Sequence, residues 1–122
     1  MSLTEFQPTY VKLTREGDAV VASFDRPNLT EDENIEQLGH ELFSLVDQFD
    51  CRKVVLNLSA VEYVTSSFLG KMITLHRKLH RKEGKLVICH VHGGVADVMR
   101  TSRLLDYFHV TDSLDRALAE LN

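Results

Sequence analysis

Lys53-Val-Val-Leu-Asn-Leu-Ser-Ala-Val-Glu-Tyr-Val-Thr-Ser-Ser-Phe-Leu-Gly-Lys-Met-Ile73 passes from strand to polar turn to helix. Val54, Val55, Leu56 and Leu58 make a short apolar run rich in β-branched residues, which suits a strand buried on both faces of a parallel sheet. After it, Leu69, Met72, Ile73, His76 and Leu79 fall at helical spacing. Between the two lies Thr65-Ser66-Ser67. Hydroxyl oxygens accept hydrogen bonds from the unpaired amides of a first helical turn, so one reading of this cluster is an N-cap. A cap needs one hydroxyl, however, and three in a row place at least one at the carboxyl end of a buried strand, where open α/β sheets present their sites. A phosphate added there would lie near the positive end of the helix dipole. The second reading is a modifiable switch.

Toward the N-terminus, Tyr10-Val-Lys-Leu-Thr-Arg15 alternates in polarity with period two and Ala19-Val-Val-Ala-Ser-Phe24 is a second β run. Glu16-Gly17-Asp18 joins them, which predicts a hairpin. Asp25-Arg-Pro-Asn-Leu29 breaks the pattern, and Thr30 followed three residues later by Glu33 fits a capping box that starts a helix. The stripe Ile35, Leu38, Leu42, Leu45, Val46 and Phe49 carries this helix to about Gln48, with Gly39 as a tolerated weak point.

Toward the C-terminus, the second helix continues to Glu83 with Gly84 as its C′ residue. Lys85-Leu-Val-Ile-Cys-His-Val91 reads as a strand, and Gly93-Gly94 opens a turn. Val95, Val98 and Met99 mark a third helix ending near Ser102, with Leu104 and Leu105 packed beneath it. Tyr107-Phe-His-Val110 reads as a last strand, and Asp112 or Ser113 caps a terminal helix carrying Leu114, Ala117, Leu118 and Leu121. From residue 30 the order is α-β-α-β-α-β-α, which implies right-handed crossovers and a largely parallel sheet.

With 122 residues the chain reads as one domain, 1–122, able to bury a core without staples. Its 43% hydrophobic and 26% charged residues are ordinary for a globular protein, and a net charge of −4 argues against direct nucleic-acid binding, which leaves a basic footprint. Cys51 and Cys89 are too few and too far apart for a disulfide framework, and both read as reduced thiols. The N-terminus has neither a basic start nor an apolar h-region, and no apolar run reaches the length of a membrane span. A cytoplasmic protein with no membrane partner is the expectation.

Asn57-Leu-Ser-Ala-Val-Glu-Tyr-Val-Thr-Ser-Ser-Phe-Leu-Gly70 resembles the signature of STAS domains, the anti-sigma factor antagonists. In that family the segment runs as Asp or Asn, a hydrophobic residue, a few variable positions, then Asp-Ser-Ser/Thr-Gly-Leu-Gly. The element order agrees over about residues 10 to 121, so the resemblance implies an α/β fold: a STAS-like, mostly parallel central sheet with an N-terminal β-hairpin and about four helices. The family's phosphoacceptor is the serine after the Asp, which matches Ser66. Thr65 stands where the family usually has Asp, removing a carboxylate and offering an alternate acceptor, as does Ser67. Phe68 stands where it usually has Gly, placing a bulky ring at or near the surface a partner would meet.

The resemblance implies a non-catalytic module that binds an anti-sigma factor with serine/threonine kinase activity through Thr65, Ser66, Ser67, Phe68 and Lys71. Phosphorylation of Ser66 would end the binding. It implies no cofactor.

The residues outside the motif leave alternatives. His76 and His80 are four apart on a helix and Cys89-His90-Val-His92 follows, but Arg77, Lys78, Arg81 and Lys82 would repel a cation. On the strand Cys89 and the two histidines point to opposite faces, so no metal is expected. Lys71, Arg77, Lys78, Arg81, Lys82 and Lys85 make the second helix basic, either as a solvated outer face or as a dock for an acidic partner. Gly93-Gly94 reads as a tight turn. A small enzyme or ligand-binding domain using the hydroxyls and histidines is the alternative function, yet Val64-Thr-Ser-Ser-Phe68 lacks both glycines of a nucleophile elbow, and no Walker or dinucleotide motif is present. No catalytic residue is assigned.

Overall fold

A computed structural model of the chain, describing residues 5–121, sets the apolar run Lys53–Asn57 at the centre of a five-stranded sheet. In chain order the elements are β1 (Lys12–Glu16), β2 (Ala19–Ser23), β3 (Asn28–Leu29), α1 (Asp32–Asp47), β4 (Lys53–Asn57), β5 (Tyr63–Val64), α2 (Ser66–Arg81), β6 (Lys85–Cys89), α3 (Gly93–Thr101), α4 (Leu104–Tyr107), β7 (His109–Thr111) and α5 (Leu114–Leu121). The sheet order is β1-β2-β4-β6-β7, antiparallel only between β1 and β2. The α/β architecture with an N-terminal hairpin is as expected, and Gly17 turns the hairpin at φ 66°.

Alternation along β4 divides the core. Val54 and Leu56 join the large cluster beneath α1, α2 and α3, whereas Val55 joins Val21, Val87 and Cys89 beneath α5. All three β4 residues are completely buried, as a strand covered on both faces requires. No helix among the described residues is long and apolar enough to cross a membrane.

Several local expectations are corrected. Thr30 does not cap α1: the helix begins at Asp32 with Glu31 at its N-cap. Asn28–Leu29 is instead held extended by parallel pairing with Tyr63–Val64, a second small sheet that delays the helix start. Tyr107 lies not in a strand but in the four-residue helix α4, bringing the helices among the described residues to five. Gly84 is not the left-handed residue after α2, a role taken by Glu83 at φ 60°. A Cβ on Gly84 would collide with the Arg52 carbonyl oxygen, so glycine serves a close backbone approach, sealed by the Lys85 amide donating to the same oxygen at 2.7 Å. Gly39 is likewise a contact rather than a weak point, because the aliphatic stem of Lys71 occupies the space its side chain would fill.

Glu41 is the buried charged side chain among the described residues, at 4% exposure. Its carboxylate accepts bonds from the amides of Thr9, Tyr10 and Val11 at 2.9, 2.8 and 3.1 Å and from Gln37 Nε2 at 3.2 Å. The segment before β1 is tied to α1 through this side chain and through the Tyr10 hydroxyl, which donates to Asn34 Oδ1 at 2.9 Å. At the other terminus Ser113 caps α5, its Oγ accepting from the Arg116 amide at 3.2 Å.

Candidate functional site

β4 ends at Asn57, whose Oδ1 accepts a hydrogen bond from the Ser59 amide at 3.0 Å and turns the chain off the sheet's carboxyl edge. The chain then passes through β5, where Glu62 and Tyr63 donate their amides to the Pro27 carbonyl at 2.7 and 3.0 Å. These bonds fix where α2 begins.

Thr65 occupies the N-cap position with extended backbone (φ −98°, ψ 169°), but its side chain caps nothing. Its Oγ1 is buried and without a hydrogen-bond partner among the described residues. Ser66 and Ser67, the first helical residues, are exposed. The cap reading therefore fails for the side chains, and two of the three hydroxyls face solvent. They stand where a helix leaves amides unpaired, with no acidic residue in the first turn to occupy that positive end.

Phe68 corrects an expectation. Its ring is completely buried, edge-on to Phe24 with centroids 5.8 Å apart and planes at 86°, so it supports the first turn from beneath and offers a partner no surface. Lys71 turns sideways to α1, its Nζ 3.0 Å from Glu36 Oε1 and 5.9 Å from the Phe43 ring centroid. The five proposed residues thus separate into an outward pair, Ser66 and Ser67, an inward pair, Thr65 and Phe68, and a lysine engaged with the neighbouring helix.

The loop before α3 completes the rim. His92 Nε2 donates to the Ser59 carbonyl at 2.9 Å, and the Val95 amide donates to that of Glu62 at 3.1 Å. Gly93 turns at φ 56°, and a Cβ on Gly94 would come within 2.5 Å of the Tyr63 ring. Gly93-Gly94 is therefore a turn built for close approach. Tyr63 rests on it while remaining 56% exposed, a large surface aromatic three residues before the helix. Sequence reasoning passed over it, although alternation with buried Val64 was the signal available.

No imidazole hydrogen-bonds the hydroxyl cluster among the described residues. His76 and His80 lie about 15 Å or more along α2 from Ser66, at 1.5 Å per residue, and His92 is bonded to Ser59. A serine nucleophile requires a base within hydrogen-bond reach, and the arrangement brings none to Ser66. Burial holds both thiols in their protonated state: Cys51 is raised, and Cys89 is pushed up to about 11.

A family model for the STAS domain matches residues 8–117. The candidate anti-sigma factor antagonist BtrV of Bordetella bronchiseptica is 35% identical over 86 residues, covering 70% of this chain and 73% of its own length. A crystal structure of a candidate anti-sigma factor antagonist from Thermotoga maritima superposes with a TM-score of 0.83 at 20% identity, covering 91% of this chain and 93% of the other. The Bacillus cell fate determinant SpoIIAA in its phosphorylated form superposes with a TM-score of 0.70 at 16% identity, covering 92% of this chain and 99% of the other.

Proposed function

The chain belongs to the STAS domain family, and from that premise we propose that it is an anti-sigma factor antagonist, a regulatory binding module rather than an enzyme. Its partner is an anti-sigma factor with serine/threonine kinase activity, and sequestering that partner frees a sigma factor in the cytoplasm. The observation that carries this reading is the outward placement of Ser66 and Ser67 at the start of α2, beside the enclosed Thr65 hydroxyl and buried Phe68.

Ser66 is the phosphoacceptor. It matches the family's serine, lies at the carboxyl end of the parallel sheet and meets solvent, so a kinase can reach its oxygen without unfolding the helix. A phosphate there adds roughly −1.5 to −2 charges at an exposed helix N-terminus, which favours anions by roughly 0.3–1 kcal/mol. The domain keeps its fold while the partner meets a new charge. Like charge or unpaired desolvation across an interface costs several kcal/mol, so binding ends. Support comes also from SpoIIAA, a fold relative whose structure is of a phosphorylated form. Thr65, with its oxygen shut away from solvent, is the weaker alternate acceptor and Ser67 the stronger. Ser66, Ser67 and Tyr63 form the contact surface.

The test is a pull-down from the native cell, followed by intact mass and peptide mapping of the recovered protein. Recovery of an anti-sigma factor by the unmodified form, and phosphate at Ser66 in the unbound form, are expected. Phosphate confined to another region, or equal capture by both forms, contradicts the proposal.

A further inference from the structure

A concavity lies at the end of α2 opposite Ser66. A cavity of about 230 Å³ opens between the helix and α4, lined by His76, Arg77, His80, Arg81 and Tyr107. Its walls are flat rings held against one another: the Tyr107 ring meets His76 edge-on at 5.2 Å and Phe108 at 5.1 Å, and the His76 and His80 rings lie 6.3 Å apart at 22°. Tyr107 keeps 43% of its surface exposed. His76 Nδ1 is buried without a partner among the described residues.

The charges of this helix divide in a way that its sequence does not announce. Lys71 pairs with Glu36, Lys78 with Asp47, Lys82 with Asp50, and Lys85, at the start of β6, with Glu120. Arg77 and Arg81 enter no ion pair among the described residues, and both face the cavity. The lysines are matched to the protein's own carboxylates. The arginines are left for something else.

Exposure decides what that is. Arg77, His80, Arg81 and Tyr107 are all solvent-exposed, so a small ligand would keep much of its surface in water, whereas small-molecule sites enclose most of their ligand. An extended chain laid across the groove has no such requirement. Residues four apart on a helix face stand about 5–6 Å apart at Cβ, close to the roughly 6.6 Å between alternate residues of an extended strand. Guanidinium forks donate paired hydrogen bonds to carboxylates, and arginine and tyrosine are enriched in binding hot spots.

We propose that the groove docks an extended acidic segment of a protein partner, two carboxylates spaced one residue apart meeting Arg77 and Arg81 and an aromatic side chain resting on Tyr107. This contact goes beyond the Ser66 surface, from which it is separated by about 15 Å along the helix, and it does not respond to phosphorylation there.

The experiment uses the full chain and an end-labelled peptide carrying Glu-Ser-Glu-Ser-Phe in a Gly/Ser frame, followed by fluorescence anisotropy and amide chemical shifts. Shifts confined to α2 beyond His76 and to α4 are expected. Arg77→Gln with Arg81→Gln should weaken binding about tenfold or more, while Lys82→Gln with Lys85→Gln, an equal loss of charge, should leave it within about twofold. Melting curves verify that both variants fold. Ser66→Asp should leave the peptide's affinity unchanged, which separates this proposal from the phosphoacceptor reading. Absence of binding, equal loss in the two double variants, equal affinity for a peptide with adjacent glutamates, or loss on Ser66→Asp would each overturn it. So would inorganic phosphate producing the same shifts at lower concentration, which would mark a small-anion site.

Discussion

The two ends of α2 share one buried stripe and differ in everything that faces outward. Phe68, Leu69, Met72, Leu75 and Leu79 run beneath both ends. Above them the first turn shows two uncharged hydroxyls, and the last turns show arginine, histidine and lysine. Part of that asymmetry is generic, since cations near a helix C-terminus complement its dipole. The remainder is specific: the lysines answer carboxylates on α1 and elsewhere in the fold, while Ser66, Ser67, Arg77 and Arg81 answer nothing within the described residues. Side chains that pair within the fold and side chains left unpaired are thus divided by helix face rather than by position along the chain.

Breaking the shared stripe should give the largest effect. Phe68→Ala removes a completely buried ring in contact with Phe24 and should destabilise the fold by about 3–5 kcal/mol, read by urea denaturation. A loss under about 1 kcal/mol would mean that the ring is not the support of the first turn. Next is the outward face of the same turn. Ser66→Asp should lower partner capture by two decades or more, equivalent to about 2.7 kcal/mol, with the melting temperature held within a few degrees. Ser66→Ala should bind and resist the kinase, and Thr65→Ala should leave phosphorylation intact. Unfolding by Ser66→Asp would reassign Ser66 as a structural residue.

Smaller still is the lateral contact between the helices. Lys78→Gln breaks a partly exposed pair with Asp47 and the approach of Nζ to the Phe43 ring at 5.4 Å, and should cost about 0.2–1 kcal/mol. Such a loss should shrink with added salt. The slightest effect concerns His76. Burial, and then the neighbouring His80 and Arg77, hold its pKa below the ordinary 6.5, so the folded protein resists protonating it. Between that depressed value and 6.5 the unfolded chain binds more protons, and stability must fall as pH drops through this window and be fully present above it. An NMR titration should find His76 below 6.5, and an ordinary or raised value would contradict the packing around Tyr107.

Long, strongly periodic elements were legible because burial imposes a period on sequence. The stripe from Ile35 to Val46 and the run at Val54–Leu56 could be read directly. Partners distant in sequence could not. Nothing near Thr30 announces that Asn28–Leu29 pairs with Tyr63–Val64, so the capping box was convincing and misplaced. Nor does the order Leu104-Leu-Asp-Tyr107 distinguish a single helical turn from the beginning of a strand. At the site, the hydroxyl cluster was visible as composition, but which of its oxygens meets solvent depends on the helical rotation set by Phe68. The division of the basic residues depends on carboxylates as far away as Glu36 and Glu120.

Glu41 has a consequence for how the chain opens. Its two oxygens hold the amides of Thr9, Tyr10 and Val11, so no pairing between strands protects these three and they depend on one side chain for their protection. In hydrogen–deuterium exchange they should behave as a single unit, exchanging together and at a rate separate from that of the hairpin that follows. A truncated side chain at position 41 would strip these three amides of their acceptor while the Tyr10–Asn34 bond, the Phe6–Phe49 stack and buried Val11 still hold the segment to the core, so the boundary would open locally, without loosening the sheet.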